Sequence, residues 1–315
     1  MLANISDNAF VLDSDCRLLT PALNMQTITS SEVMQKMALE WRRAGKKIGF
    51  VPTMGFLHEG HMSLVRLARA EADVVVLSIF VNPLQFGPQE DFEKYPRDLA
   101  RDSDSCRQNG VDVIFNPSVA DMYSHDNTVF IDENDLSKQL CGRSRPGHFR
   151  GVLTVVAKLF NIVLPDAAVF GQKDAQQAIL IRRMIRDLNF PVKIVVAPIV
   201  RERDGLAMSS RNAYLGPDER RAATCLSAAL KKARGLYCAG ERDGTVLKAA
   251  MFDLISRVKT ASIDYIEIVG GNDLKPLNKI GDGDILIAMA VRIGKTRLID
   301  NLPLPDDRLG NLPDN

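Results

Sequence analysis

Between Asp73 and Val81 the chain reads DVVVLSIFV, a near-continuous run of β-branched and other apolar residues. A strand wetted on one face alternates apolar with polar, so a run this unbroken demands cover on both faces. Two segments precede it. KIGFVPT is strand-like and closes at Pro52 and Gly55, and EGHMSLVRLARAEA spaces its apolar residues as a helix does. Strand, helix and strand within about 35 residues form a βαβ unit, which commits the chain to a parallel sheet.

The alternation continues. DLARDSDSCRQNG reads as a helix and VDVIFNP as a strand. GVLTVVAKLFNIVL and DAAVFG repeat the pair, and DAQQAILIRRMIRDLN, closed by Asn189, leads to PVKIVVAPIV. The expectation is an α/β fold: a doubly wound, Rossmann-like parallel sheet of at least five strands over 25–199. Ahead of it, Thr29 and Glu32 have capping-box spacing for a first helix. A smaller α+β domain, a lid, is expected over 200–304, with helices near 217–236 and 244–259 and strands SIDYIEIV, DILIAMAV and TRLIDN. Residues 1–24 read as an N-terminal extension, partly disordered, with Met25 as a possible alternative start; 305–315 reads as a frayed tail.

A formal net charge of +1 argues against a polyanion-binding surface and hence against nucleic acid as a partner. The longest apolar runs are strand-length, which argues against a membrane span. Five scattered cysteines without a C-x-x-C pair read as free thiols in a cytoplasmic protein.

Ligands of open parallel sheets collect at the carboxyl ends of the strands, near the switch in strand order. Sorted by that rule, the polar residues make one group: Thr53, Met54, His58 and His61 after the first strand, Asn82 and Gln85 after the second, Gln172, Lys173, Asp174 and Gln177 after AAVFG, and Met208, Ser209, Ser210 and Arg211 after IVVAPIV. His58 and His61 fall in the first helical turn, where free N–H groups and the helix dipole favour phosphate. Capping decoration is the plain alternative. HEGH is one residue short of the H-E-x-x-H zinc spacing, and no third ligand stands nearby. Lys173 could pair with phosphate. Asp174 could hold a ribose hydroxyl or a nucleotide's metal, or simply cap its helix. Arg211 offers a bidentate fork. The basic loop GRSRPGHFRG carries Arg145 and His148, and its plain reading is solvated charge. Asp98, Asp102 and Asp104 read as a solvated helix face rather than a metal site. The first strand is not followed by G-x-G-x-x-G, and neither a Walker loop nor a G-x-S-x-G elbow occurs.

His58-Glu59-Gly60-His61 resembles the H-x-G-H signature of the nucleotidyltransferase superfamily, and Met208–Arg211 resembles its degenerate second signature. VPTMGFLHEGHMSLV, SIFVNPLQFGPQEDFEKYPR, RPGHFRGVLTVVAKLFNIVLPD, FGQKDAQQ and VRERDGLAMSSRNAYL, in that order, are similar to the pantoate–β-alanine ligase (pantothenate synthetase) family from about Met25 to about Leu304. The resemblance implies ATP and Mg²⁺ as cofactors, and (R)-pantoate and β-alanine as substrates. It implies a pantoyl-adenylate intermediate, release of AMP and pyrophosphate, and a homodimer. It assigns ATP binding to Thr53, Met54, Gly55, Phe56, Leu57, His58, Glu59, Gly60 and His61, to Gly171, Gln172, Lys173 and Asp174, and to Val200 with Met208, Ser209, Ser210 and Arg211. His61, His58, Lys173, Ser209, Ser210 and Arg211 would be catalytic, Gln85, Gln177 and Asn82 would hold pantoate, and Arg145 and His148 would lie near β-alanine. Protein ligands of the metal stay unassigned. The alternatives are another H-x-G-H nucleotidyltransferase and a non-catalytic nucleotide sensor.

Overall fold

The computed structural model describes residues 25–305 other than 89 and 282, together with two-residue strands at Val11–Leu12 and Leu18–Leu19 that pair antiparallel. The expectations for the rest of the N-terminal extension and for the tail beyond 305 fall outside the described residues.

The larger sheet has six strands, all parallel. They are β1 (Gln26–Ile28), β2 (Ile48–Thr53), β3 (Val74–Ile79), β4 (Val113–Phe115), β5 (Ala167–Gly171) and β6 (Lys193–Ala197), in the order β1-β4-β3-β2-β5-β6. The order reverses between β2 and β5, so the carboxyl ends of those two strands open the crevice in which such folds bind ligands. Every residue of β3 is buried, as its unbroken apolar run requires. The strand β1 is an addition to the sequence reading. Only three residues long and at the sheet edge, it carries too little apolar periodicity to register.

Helix α1 (Ser31–Arg43) starts one residue later than the Thr29–Glu32 pattern suggests: Ser30 is the N-cap, and its hydroxyl accepts from the Val33 N–H at 3.3 Å. Helices α2 (Glu59–Glu71), α3 (Leu99–Gln108), α4 (His148–Val163) and α5 (Ala175–Asp187) cover the sheet. Apolar residues surround α4 on nearly all sides, as befits a helix buried within the protein. Gly151 lets α4 lie against the turn after β3: a Cβ there would stand 2.3 Å from the Leu84 carbonyl oxygen. Asn189, with φ of 54°, ends α5 in the left-handed conformation that asparagine tolerates.

The second sheet is antiparallel, with β7 (Ala261–Gly270), β8 (Ile285–Ile293) and β9 (Thr296–Leu304) in the order β9-β8-β7. Helices α6 (Cys225–Cys238) and α7 (Gly244–Ser256) pack on one face of it, against Ile266, Ile287, Met289 and Val291. Alternate residues point the other way. Tyr265, Leu286, Ala288 and Ala290 join the core of the larger unit, together with Phe149 and Leu140. No helix among the described residues is long and apolar enough to cross a membrane.

Candidate active site

The chain leaves β2 through a tight turn. The Thr53 hydroxyl donates to the Ser78 carbonyl at 2.6 Å and accepts from the Gly55 N–H at 3.2 Å. Gly55 and Phe56 both have positive φ, 82° and 50°. This backbone is held from outside by α3. Asp102 Oδ2 accepts from the Phe56 N–H and Oδ1 from the Leu57 N–H, each at 2.7 Å. Arg101 donates to the Leu57 carbonyl at 3.0 Å and sits over the Phe56 ring at 4.7 Å. The solvated-face reading of the aspartates is thus corrected at one position. Asp98 caps α3 and Asp104 pairs with Arg107, but Asp102 is only 1% exposed and its carboxylate is the clamp of the turn.

His58 is the N-cap of α2 and His61 its third residue, so the H-x-G-H spacing places the rings side by side with centroids 4.0 Å apart. The His58 backbone N–H donates to His61 Nδ1 at 3.2 Å. That bond makes Nδ1 an acceptor, so a neutral His61 carries its proton on Nε2. Burial pulls the His61 pKa well below its ordinary value, with His58 and Lys173 adding to it. Burial, then Lys173 and Arg101, pulls His58 down to about 4. Both imidazoles are therefore neutral near pH 7 and act as hydrogen-bonding groups rather than charges. Gly60 is needed between them, because a Cβ there would come within 2.9 Å of His58 Nδ1 and Cε1. His58 Nδ1 itself is buried without a partner. Leu57 is buried in the core and Glu59 pairs with Arg66 on the surface, so their side chains shape the turn rather than line the cleft.

The end of β3 supplies Asn82 and Gln85. Asn82 Nδ2 donates to Gln85 Oε1 and to the Gly151 carbonyl, both at 3.1 Å, and Asn82 Oδ1 accepts from the Tyr123 hydroxyl at 2.9 Å. Gln85 Nε2 reaches only the thioether of Met54, a weak acceptor, at 3.2 Å. Arg145 and His148 are more ordered than solvated charge: Arg145 grips Glu90, and both Arg145 Nη2 and His148 Nδ1 meet the Gln85 carbonyl, at 3.3 and 2.8 Å. Burial, then Arg145, lowers His148 to about 3, so its neutral ring donates from Nδ1 to that carbonyl.

Gly171 ends β5, and Gln172–Asp174 form a 3₁₀ turn into α5. Asp174 occupies the cap position without making a cap bond, so its carboxylate is left to the cleft. Among the described residues, neither the Lys173 ammonium nor the Gln177 amide has a side-chain partner, and both line the cleft. Val200 accepts from the Met208 N–H at 3.0 Å. The Ser210 hydroxyl then donates to the Phe56 carbonyl at 3.2 Å, tying the second signature to the first. Ser209 accepts from the Arg211 N–H at 3.3 Å. The Arg211 fork is engaged by Asp91, with bonds of 2.8 and 2.9 Å, and does not point free into the cleft. Burial alone would raise Asp91, but the Arg211 bonds and charge outweigh it and hold the carboxyl below its usual range.

These segments enclose a cavity of about 230 Å³ lined by His58, His61, Asn82, Gln85, Lys173 and Gln177. A second cavity, also about 230 Å³, continues past Lys173, Asp174 and Gln177 toward the antiparallel sheet. Neutral donors at a helix N-terminus, an unpaired lysine and two amides suit a phosphate-bearing ligand beside a polar acid. The two serines of the cleft, Ser209 and Ser210, are bonded to backbone groups rather than to a general base. Among the described residues, no three His, Cys, Asp or Glu side chains converge on a metal position. Besides Asp102, the side chains of Asp91, Glu90 and Asn301 hold the site in place without having been expected from the sequence. Their only signal is acidic or amide character in segments already quoted, with nothing to say what they would meet.

A sequence profile described as Pantoate-beta-alanine ligase matches residues 26–303. The chain is 58% identical over 277 residues to a pantothenate synthetase of Thermotoga neapolitana, covering 88% of this chain and 99% of that one. A pantothenate synthetase of Pelotomaculum thermopropionicum is 56% identical over 273 residues, 87% of this chain and 96% of that one. Among solved structures, a pantothenate synthetase from Thermus thermophilus superposes with a TM-score of 0.83 at 43% identity, covering 88% of this chain and 99% of that one. A pantoate-beta-alanine ligase from Francisella tularensis, complexed with beta-gamma ATP and beta-alanine, superposes with a TM-score of 0.73 at 35% identity, over 88% and 97%.

Proposed function

This chain belongs to the pantoate–β-alanine ligase family, and on that premise we propose how its cleft joins (R)-pantoate to β-alanine with ATP. It is a ligase. In the first step the pantoate carboxylate attacks the α-phosphorus of ATP, the bond to the β-phosphate oxygen breaks, and pyrophosphate leaves. In the second the amine of β-alanine attacks the acyl carbon of pantoyl adenylate. The acyl–phosphate bond breaks, a proton leaves the nitrogen, and pantothenate and AMP depart.

The observation that carries this reading is the meeting of the two histidines, Lys173 and the Ser209–Arg211 turn in one cleft with Gln85 and Gln177. His61, with its proton on Nε2, would donate to an oxygen of the reacting phosphate, as would His58 and the free N–H groups opening α2. Preorganised donors of this kind contribute about 2.7–4 kcal/mol each to a transition state. Attack of a carboxylate on phosphorus releases no proton, so the first step asks these rings for charge stabilisation rather than for general-base catalysis. Lys173 would neutralise the triphosphate. Gln85 and Gln177 would hold the hydroxyls and carboxylate of pantoate, with Asn82 fixing the Gln85 amide. Arg145 and His148 act on pantoate indirectly, through the Gln85 backbone, and stand near the path of β-alanine.

A Mg²⁺ ion suits this donor set if phosphate oxygens and water supply most of its ligands, with Asp174 the one unengaged carboxylate at the turn. Bound there, it would withdraw charge from the phosphates. The reading further includes a homodimer built on the larger unit and a cytoplasmic location, in keeping with four unpaired thiols among the described residues.

The test is pyrophosphate release with ATP, Mg²⁺ and (R)-pantoate, with and without β-alanine, on wild type and His61→Ala. A pantoate-dependent burst, turning over only with β-alanine and reduced about 10²–10³-fold by the substitution, is the expected result. Release without pantoate dependence would point to another nucleotidyl acceptor. Binding of ATP without any release would leave a nucleotide sensor.

A further inference from the structure

Strand β9 carries two consecutive polar residues, Asp300 and Asn301, only 2% and 3% exposed. Buried polar groups in an apolar strand are costly unless every bond is made, so where their bonds go shows what they are for. All the side-chain bonds of Asn301 go to the turn after β5. Its Nδ2 donates to the Gln172 and Lys173 carbonyls, both at 3.0 Å, and its Oδ1 accepts from Gln172 Nε2 at 3.0 Å. Its neighbour faces the opposite side of the strand. Asp300 holds Arg201 through two bonds of 2.7 and 2.9 Å, and Arg201 also donates to the Gly205 carbonyl at 3.1 Å. Arg201 bridges to Ala207, the residue before Met208. Asp300 Oδ1 also accepts from the Asn301 N–H at 2.8 Å, which locks the two residues together.

We propose that Asp300 and Asn301 are positioning residues through which strand β9 sets the Lys173 turn and the Met208–Arg211 turn at a fixed separation for the nucleotide. One strand, 129 residues downstream of Gln172, touches the Lys173 turn directly through Asn301 and reaches the Met208–Arg211 turn through Asp300 and the Arg201 it holds. Neither residue reaches the cleft by a donor of its own that is still free, since the Asn301 amide is fully committed. Their effect on the reaction therefore passes through Lys173 and through the second signature. The antiparallel sheet thus contributes the spacing of the nucleotide site. The proposal rests on the reading of Lys173 and Met208–Arg211 as ATP-binding.

The informative substitution is Asn301→Asp. It keeps the acceptor for Gln172 but turns a carboxylate on two carbonyl oxygens. Initial rates of pyrophosphate release, with ATP and pantoate varied separately, would be measured for wild type, Asn301→Asp, Lys173→Ala and the double variant, each with a thermal melt. The expected result is a rise of about 10-fold or more in the KM for ATP in Asn301→Asp, with the KM for pantoate unchanged. The double variant should be no worse than Lys173→Ala alone, because both changes act through one ammonium. A purely structural role would lower the melting temperature or the active fraction and leave both KM values alone, and that outcome overturns the proposal. So does full additivity in the double variant. If Lys173→Ala itself leaves the KM for ATP unchanged, the nucleotide reading of the turn has failed and the proposal falls with it. Should Asn301→Asp not fold, Asn301→Ser, which adds no charge, carries the same comparison.

Discussion

Replacing Asp102 with asparagine tests whether the turn ahead of the two histidines is held from α3. The carboxylate accepts two backbone N–H groups, one on each oxygen. Asparagine has one acceptor oxygen, so one of those N–H groups must face an NH₂. The loss is a charge-assisted hydrogen bond, about 1.5–3 kcal/mol, and the stranded buried donor adds about 1–3 kcal/mol. The turn is already at positive φ at Gly55 and Phe56, so relaxation will move the segment that aims His58 and His61 rather than the distant core. If about 3 kcal/mol of the total falls on the transition state, kcat/KM for ATP drops about 10²-fold. The remainder appears as a loss of a few degrees in Tm. The assay is pyrophosphate release against ATP concentration, with thermal melts on the same samples. A D102N enzyme within about two-fold of wild type in kcat/KM for ATP would refute the clamp and leave Arg101 and the core to hold the turn.

Gly60→Ala should separate stability from activity. Helix propensity favours the change by about 1 kcal/mol, while the new Cβ would press on the His58 ring from 2.9 Å. A Tm equal to or above wild type with an about 10-fold or larger loss in pyrophosphate release is expected, and unchanged activity would show that the ring position is not critical. Acid should weaken the fold early. His58, held near 4, His148, near 3, and His61, well below its ordinary value, all stay neutral in the folded chain just below pH 6.5, whereas the unfolded chain protonates them there. The unfolded state then binds more protons, and stability falls as pH drops from about 6.5 toward 4, by up to about 1.4 kcal/mol per pH unit for each histidine. A urea midpoint as high at pH 5.5 as at pH 7 would contradict these depressed values.

The parallel sheet could be read from the sequence because burial on both faces writes itself locally, in runs such as DVVVLSIFV. The histidine pair could be read because its spacing and the start of α2 lie in one short segment. The clamps could not. In α3 the buried stripe is Asp102 and Cys106, four apart; a polar residue on the inner face of a helix looks like one on the outer face until its partners are known. Those partners, the N–H groups of Phe56 and Leu57, lie over forty residues upstream. Asn301 sits in a strand whose neighbours explain it no better, since the carbonyls it serves lie in the turn after a strand of the other sheet. Asp91 is the same case, because its ion pair with Arg211 spans 120 residues. Side chains that hold backbone in place leave no periodic trace, and the residues they hold carry the recognisable motif.

The two faces of the antiparallel sheet have a consequence for how the molecule comes apart. One face meets its own helices, and the other carries Tyr265, Leu286, Ala288 and Ala290 into the larger core. Separating the units would wet that second face and the apolar residues opposite it at the same time, so the topological boundary is not a line of weakness. Denaturant should therefore unfold the two sheets together, with coincident transitions from probes placed in each, and two separated midpoints would contradict this coupling.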